Sequence, residues 1–317
     1  MPRRAMLTDD PRRLFAFAHN AASAGHRIAL VTLTEVFGTA ARTLGAQMVV
    51  LDDGRYCGFV SGGCTESAVA AEALVALKSR HDRILRLGAN SPFFDIVLPC
   101  GGGITLKIHV VRDMEVFAAA QRCFDERQCF SLLYSPGSEK LELVVGESKP
   151  TGWFNGIFVR HYRPATRLIV CGRSIELDAT ARLALAGGYG VECHGPETEE
   201  LIALKQAGAE IATAATPSGT APLRIDADTA VVLLFHDLEW ELPFLRQALA
   251  AKPFYLGALG SGRTHAIRSE KLRDLGFSAQ DLNRIKAPIG LFGPARDSNT
   301  LALSILADIA QAGVTEL

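Results

Sequence analysis

Hydrophobic and polar residues alternate in the first half of the chain in a way that is typical of strands joined by tight turns. Residues 28–34 and 104–111 alternate with period two, which predicts half-buried strands. The turn at residues 52–54, Asp-Asp-Gly, separates two apolar runs and predicts a hairpin. Further strands are predicted at 48–51, 56–60, 130–134 and 141–145, and helices at 12–24, 65–78 and 114–128.

The second half has a different pattern, in which short apolar runs alternate with amphipathic helices. This alternation indicates βα units and a doubly wound parallel sheet. The sequence therefore predicts an α/β protein with an N-terminal α+β domain at 1–150, a Gly- and Pro-containing linker at 151–164 and a C-terminal Rossmann-like domain at 165–317. The predicted strands are 168–171, 191–193, 230–235 and 254–256, followed by helices ending near 186, 207, 250 and, at the C-terminus, 312.

Length and composition agree with two ordinary globular domains. The chain has 317 residues, of which 48% are hydrophobic and 21% charged, and this balance excludes a disordered protein. The formal charge of −1 gives no basic field for nucleic acid. The apolar run at 230–235 is far shorter than the ~20 residues of a membrane span, and the N-terminus has no secretory pattern. We expect a cytoplasmic protein.

Cysteine and glycine are the uncommon part of the composition. There are seven Cys and 29 Gly, and the absence of any C-x-x-C pair argues against both a disulfide framework and a zinc knot. Free thiols in a reducing compartment are the better interpretation. Only two of the cysteines, Cys64 and Cys100, stand directly against runs of glycine in the first half.

These two glycine-flanked cysteines are the first candidates for chemistry. Residues 61–64, Ser-Gly-Gly-Cys, precede a predicted helix whose N-terminus favours an anion or a thiolate. Residues 100–103, Cys-Gly-Gly-Gly, precede a strand, and three ordered glycines are costly unless something approaches the backbone closely. The pair suits a phosphate, a soft metal or sulfur transfer. The alternative is a turn beside a small buried thiol.

Three segments of the second half lie where α/β sheets place ligands. Gly172 and Ser174 follow the first strand at the position of the dinucleotide fingerprint G-x-G-x-x-G, of which only the first glycine is kept. Residues 260–263, Gly-Ser-Gly-Arg, suit a phosphate or form a simple strand-to-helix turn. His236 ends another strand and is either an acid or base or a structural hydrogen-bonding group.

Several motifs resemble the XdhC/CoxI family of xanthine dehydrogenase accessory proteins. Residues 58–66, GFVSGGCTE, are similar to the family's G-x-[VI]-S-G-G-C-[VT]-E motif. Residues 38–48, GTAARTLGAQM, resemble its G-S-S-P-R-P-x-G-x-x-M stretch, with Ala41 and Thr43 in place of the two prolines. Other similar segments are CGG at 100–102, YLGALGS at 255–261, APIGL at 287–291 and SILAD at 304–308.

The resemblance implies a factor that binds and protects the molybdenum cofactor, as molybdopterin or a nucleotide-extended form. It further implies that such a factor supports sulfuration with a cysteine desulfurase and delivers the cofactor to an apo-enzyme of the xanthine dehydrogenase family. Homodimerisation is implied by the family, and Cys64 would be the thiol at the molybdenum. The candidate binding residues are Arg42, Ser61, Gly62, Gly63, Cys64, Cys100, Gly101 and Gly102 in the first half, and Gly172, Ser174, His236, Gly260, Ser261 and Arg263 in the second.

Two other functions stay open at this point. A Rossmann-like half alone would suit an NAD(P)-dependent oxidoreductase, although Gly-Arg-Ser-Ile at 172–175 and Gly-Pro-Glu at 195–197 replace the family's G-A-G-H and D-P-R. A docking scaffold for the apo-enzyme would keep the fold and bind no cofactor. Because a carrier needs no turnover, the interpretation leans away from an enzyme.

Overall fold

The computed structural model describes residues 1–63, 65–88, 102–146 and 149–315 of the chain. They form two compact units, Met1–Pro164 and Ala165–Leu317. The predicted fold class is confirmed: a mixed α+β unit is followed by a Rossmann-like one.

The first unit is built around a six-stranded sheet of order β1-β4-β3-β2-β6-β5. The pairs are antiparallel except for β1 with β4, and the β3–β4 hairpin is confirmed. The elements of this sheet and its helices are β1 (Arg3–Met6), α1 (Pro11–Ser23), β2 (Ile28–Phe37), β3 (Gln47–Leu51), β4 (Arg55–Gly58), α2 (Glu66–Ser79), β5 (Arg83–Gly88), β6 (Gly103–Val110) and α3 (Glu115–Asp125).

Strand β2 lies in the middle of this sheet and is buried on both faces. Val31 and Leu33 point into the cluster under α2, while Ile28 and Leu30 point into the cluster with α1 and α3. This is the period-two alternation of a strand with an apolar layer on either side. Strand β2 thus supports the segment that follows it, residues 38–46.

A four-stranded antiparallel sheet of order β8-β7-β10-β9 completes the first unit. Its strands are β7 (Phe130–Ser135), β8 (Lys140–Val145), β9 (Gly152–Phe154) and β10 (Ile157–Tyr162). The prediction of a linker at 151–164 is therefore wrong, because most of these residues form β9 and β10. Phe158 and Tyr162 are buried, and Tyr162 stacks on Phe130 with ring centroids 4.6 Å apart. Aromatic packing across the sheet outweighs the Gly- and Asn-rich turn that suggested a linker.

The second unit has a six-stranded parallel sheet of order β13-β12-β11-β14-β15-β16. This order places the topological switch between β11 and β14, where the chain turns from one side of the sheet to the other. Its elements are β11 (Arg167–Gly172), α4 (Ile175–Ala186), β12 (Gly190–Gly195), α5 (Glu199–Gln206), β13 (Glu210–Thr213), β14 (Thr229–Leu234), α6 (Leu238–Ala251), β15 (Tyr255–Ala258), α7 (Gly262–Asp274), α8 (Ala279–Leu282), β16 (Ile285–Lys286) and α9 (Ser298–Thr315).

Helices cover both faces of this parallel sheet. Ile169 and Val231 face a cluster with α6 and α7, while Val170 and Val232 face one with α4, α5 and α9. Strands buried on both sides account for the continuous apolar runs in the sequence. Within the described ranges, no helix combines the length and the apolar character that a membrane crossing requires.

Candidate functional site

The predicted binding residues divide between the two units, and three of them, Cys64, Cys100 and Gly101, lie outside the described residues. All of the others are placed. Those of the first unit lie around the loop 38–46 and the start of α2, and those of the second lie at the carboxyl edge of the parallel sheet.

A buried carboxylate shapes the loop before α2. Glu66, the first residue of that helix, is 1% exposed. Its Oε1 accepts hydrogen bonds from the backbone N–H of Val60 at 3.2 Å and from the N–H and hydroxyl of Ser61, each at 2.9 Å. Its Oε2 is buried without a hydrogen-bond partner among the described residues. Glu66 therefore fixes the Ser61–Gly63 turn through two amides and one hydroxyl of the turn.

Glycines bring this turn and the start of β6 against the loop 38–46. A Cβ atom on Gly62 would lie 3.1 Å from the Cβ of Ala41, and one on Gly102 would overlap the backbone oxygen of Thr39. Gly63 has φ +108°, and none of the described residues has an atom within 4 Å of its Cβ position. The segments preceding Cys64 and following Gly101 thus both contact one loop.

Arg42 projects from that loop between two clefts. Clefts of about 220 and about 370 Å³ share Arg42, Asp9, Ala41 and Phe59 in their walls, and the larger one reaches Gly62. The Arg42 Nη2 lies 3.1 Å from Asp9 Oδ2, and its guanidinium carbon lies 5.7 Å from the centroid of the Phe59 ring. Its Nε is buried without a partner in the described part of the chain. The first unit therefore presents a cation and a glycine turn at one concave surface.

The buried thiols Cys57, Cys193 and Cys171 are poor nucleophiles. Burial raises the pKa of Cys57 to about 11 and that of Cys193 to about 12, and it raises the pKa of Cys171 well above its ordinary value. A thiol in such surroundings stays protonated near neutral pH. Among the described residues, no three His, Cys, Asp or Glu side chains group as a metal site.

In the second unit, Ser174 adopts a backbone conformation that normally requires glycine. It heads α4 with φ 123° and ψ 179°, which costs a side-chain-bearing residue about 1–3 kcal/mol. The preceding Gly172 packs beside β14, where a Cβ would lie 3.1 Å from that of Leu234. The loop thus keeps the shape of the dinucleotide fingerprint although a serine replaces its second glycine.

A carboxylate of the chain itself lies at the N-terminus of α4. The Ser174 hydroxyl donates to Glu176 Oε2, and Glu176 Oε1 lies 3.9 Å from Nε2 of the exposed His236. A pyrophosphate would normally take this place at the helix N-terminus. The fold brings Ser174 and His236 to one edge as predicted, and Glu176 joins them there.

The Gly260 loop lies at the same edge and is held by a buried arginine. Ser261 caps α7 by accepting from the Thr264 N–H at 3.3 Å, and Arg263 is exposed. The fully buried Arg268 pairs with Glu241 at 2.5 Å and donates to the Leu259 carbonyl at 2.6 Å. Desolvation raises the Glu241 pKa, and Arg268 opposes that rise.

Similarity to known proteins establishes the family of this chain. One family model, described as the XdhC Rossmann domain, matches residues 168–309, and a second, described as the XdhC and CoxI family, matches residues 21–88. The molybdenum cofactor insertion chaperone PaoD of Escherichia coli (strain K12) is 48% identical over 309 residues, which cover 98% of this chain and 91% of that protein. The chain belongs to the XdhC and CoxI family.

A solved structure shows the same fold. A crystal structure from Bacillus halodurans, described as a xanthine dehydrogenase, matches with TM-score 0.73 and covers 96% of each chain. The two sequences are only 20% identical, so this similarity shows that the two chains share a fold and says nothing of the activity of this chain.

Three of the motifs that resemble the XdhC and CoxI family contact one another inside the second unit. A Cβ on Gly290 would meet the Ser304 Oγ at 2.5 Å, and that hydroxyl accepts from the Phe292 N–H at 2.9 Å. Tyr255 donates to Asp308 at 2.8 Å. The segments 255–261, 287–291 and 304–308 therefore hold α9 against β15 and the chain after β16.

Sequence reasoning missed two residues that shape the loops of this XdhC and CoxI family member. Glu66 lies within the motif at residues 58–66, but the sequence does not distinguish its carboxylate from an ordinary charge at the start of a helix. Arg268 lies in a polar helix with nothing in its local pattern to mark burial. In both cases the partner is what gives the residue its role, and for Arg268 that partner, Glu241, is 27 residues away.

Proposed function

We propose that this protein is a molybdenum cofactor-binding chaperone that protects the cofactor and delivers it to an apo-molybdoenzyme. The observation that carries the proposal is the 48% identity to PaoD over 98% of the chain. PaoD is named for cofactor insertion, and identity at this level over nearly the whole chain supports a shared task.

The first unit fits such a ligand in its size and donors. The larger of its two adjoining clefts, about 370 Å³, lies within the ~300–1,000 Å³ of small-molecule sites, and the smaller one of about 220 Å³ shares four of its residues. Molybdopterin combines a phosphate with a soft metal centre, and Arg42 beside a glycine turn suits the phosphate. We assign Cys64 as the thiol nearest the molybdenum and Cys100 as a second thiol, with Gly62, Gly63, Gly101 and Gly102 supplying backbone amides.

The finer parts of the proposal concern partners. We propose that a cysteine desulfurase cooperates in installing the sulfido ligand, that the recipient belongs to the xanthine dehydrogenase family, and that the protein acts as a homodimer. Differential binding and release perform this task without turnover. In the second unit, Gly172, Ser174, His236, Gly260, Ser261 and Arg263 are the candidate contacts for a nucleotide-extended cofactor.

Cofactor retention tests the proposal directly. Purified protein is incubated with molybdenum cofactor, desalted and extracted with acid, and the released pterin is quantified by fluorescence. We expect close to one equivalent for the wild type and most of it lost in Cys64→Ala, with Cys129→Ala, a half-buried thiol of the same unit, as matched control. Unchanged retention in Cys64→Ala would sink the role of Cys64, and no retention by the wild type would sink the chaperone function.

The Rossmann unit alone does not favour an oxidoreductase. Glu176 places a carboxylate where a dinucleotide phosphate would bind, and Ser174 already uses its hydroxyl on that carboxylate. A titration with NADH, followed by protein fluorescence, should show no saturable change in the wild type. A docking scaffold is distinguished by the retention experiment, because it would release no pterin.

A further inference from the structure

We propose that Arg160 joins Arg42 to form a phosphate-binding subsite in the smaller cleft of the first unit. That the bound phosphate is the one carried by the cofactor rests on the proposed function. The subsite itself rests on the geometry of the cleft. Arg160 lies on β10, far from the glycine-flanked cysteines in sequence.

The Arg160 side chain forms part of the wall of the smaller cleft. The cleft of about 220 Å³ is lined by both Arg42 and Arg160. Gly45, with φ +82°, lies directly beneath, and a Cβ there would come within 2.6 Å of the Arg160 Cδ and 2.7 Å of the Thr151 Cγ2. Only glycine at position 45 leaves room for this arrangement. The loop that carries Arg42 is thus in contact with the side chain of Arg160.

Both guanidinium groups carry a buried donor that no described residue accepts. The Nε atoms of Arg42 and Arg160 are each buried without a hydrogen-bond partner in residues 1–63, 65–88, 102–146 and 149–315. A buried donor left unpaired costs about 1–3 kcal/mol, and more when it is charged. Both side chains line the same cleft, and two guanidinium groups with unpaired donors there indicate an acceptor that is not part of the described chain.

The contacts that Arg160 makes with described residues do not use its Nε–H. Its Nη1 donates to the Thr151 hydroxyl at 3.2 Å, and its guanidinium lies 4.9 Å from the centroid of the Tyr162 ring. A side-chain hydrogen bond also links Arg160 to the Tyr162 hydroxyl. The guanidinium has five N–H donors, so others remain for an acceptor. Across the described residues no carboxylate pairs with Arg160, so its charge is available to an oxyanion.

Asp9 limits the affinity of this subsite. Its carboxylate pairs with Arg42 at 3.1 Å and lines the same cleft. A phosphate therefore meets two guanidinium groups and one competing carboxylate, which is 69% exposed and able to swing into water. This arrangement suits a carrier, which must release what it binds. It also predicts that removing the carboxylate strengthens binding.

Calorimetric titration with inorganic pyrophosphate tests the subsite on the full chain. We expect saturable binding by the wild type, about tenfold weaker binding in Arg160→Gln and an intermediate loss in Arg160→Lys, which keeps the charge but loses the planar fork. Arg83→Gln is the matched control, because it removes one cation of the same unit outside the cleft. Asp9→Asn should bind about threefold more tightly.

The outcomes separate the subsite from the proposed function. Pyrophosphate binding that depends on Arg160, in a protein that retains no cofactor, would keep the subsite and reject the chaperone. Cofactor retention with no change in Arg160→Gln, in either assay, would keep the chaperone and overturn the subsite. If thermal unfolding shows that Arg160→Gln is not folded, Arg160→Lys and Asp9→Asn decide, and equal affinities for these two and the wild type overturn the inference.

Discussion

The two units each place a glycine-containing turn before a helix with a glutamate in its first turn, yet the two carboxylates do opposite things. Glu66 is buried, and its Oε1 holds two amides and a hydroxyl of its own turn. Glu176 is bonded to the Ser174 hydroxyl and lies near the exposed His236. The first carboxylate supports its turn, whereas the second fills the place that an anion would take.

This difference shows why a glycine turn before a helix is not in itself a phosphate site. Both helices offer the same partial positive charge at their N-termini. In the first unit the neighbouring surface carries Arg42, so an incoming anion meets a cation. In the second unit an anion would meet Glu176 first. The position of the carboxylate therefore decides whether an anion can bind at the turn, and the number of glycines matters less.

Breaking the buried ion pair of the second unit should have the largest effect. Arg268→Met leaves Glu241 buried and unpaired and frees the Leu259 carbonyl, so we expect a loss of about 4 kcal/mol in the free energy of unfolding. Urea denaturation measures it. Arg263→Met, an exposed arginine of the same helix, should change stability by less than about 0.5 kcal/mol. Equal losses in both variants would mean that burial of the pair is unimportant.

Removing the supporting carboxylate of the first unit comes next. Glu66→Ala leaves the Val60 and Ser61 amides without their acceptor, and we expect a loss of about 3 kcal/mol by denaturation. Glu66→Gln keeps an acceptor oxygen and should lose about 1 kcal/mol. Glu72→Ala, on the same helix and paired with Arg83, is the control and should lose less than about 0.5 kcal/mol. A Glu66→Ala protein as stable as this control would remove the supporting role.

Ser174 gives a smaller effect of the opposite sign. Because its φ of 123° suits glycine, Ser174→Gly should stabilise the protein by about 1 kcal/mol, seen as a higher melting temperature. Ser261 also heads a helix but has φ −72° and accepts from the Thr264 N–H. Ser261→Gly should therefore destabilise by about 0.3 kcal/mol. Two changes of the same sign would contradict the difference in strain.

The smallest effect concerns Glu176 itself. Glu176→Ala removes a carboxylate from the N-terminus of α4 and should cost about 0.5 kcal/mol of stability. The same change should give a saturable response to NADH that the wild type lacks, because the phosphate no longer meets a negative charge. Fluorescence titration of the variant beside the wild type measures this. Wild-type binding as strong as that of the variant would end the contrast between the two turns.

The sequence predicted the elements whose pattern is local, and the structure added those that depend on distant partners. Strand β2 and the β3–β4 hairpin follow from alternation and from the turn at 52–54. Strand β1, an exposed edge strand paired in parallel with β4, has no alternating apolar face to reveal it. The short edge strands β5 and β13 are not predicted either, because β13 has no fully buried residue and β5 buries only Leu85 and Leu87.

The candidate site was predictable to a similar degree. The turn at 61–63, Gly102 and Arg42 could be chosen from glycine spacing and motif resemblance, and they do surround one loop. Arg160 could not, because nothing near it in sequence marks it and its relation to Gly45 exists only in the fold. In the second unit the degraded fingerprint indicated a weakened nucleotide site, but the part played by Glu176 needed coordinates.

Because β2 is buried on both faces, its amide exchange rates give an internal reference for ligand effects on the loop 38–46. Residues from Ile28 to Thr34 are buried, while burial falls away from Glu35 to the exposed Phe37. Amide protons of the buried stretch should exchange with deuterium only when the whole unit opens, whereas those of the loop 38–46 report local motion. A ligand that orders this loop would therefore slow amide exchange only in the residues after Thr34. The unchanged exchange rates of the buried residues before it would serve as the internal control.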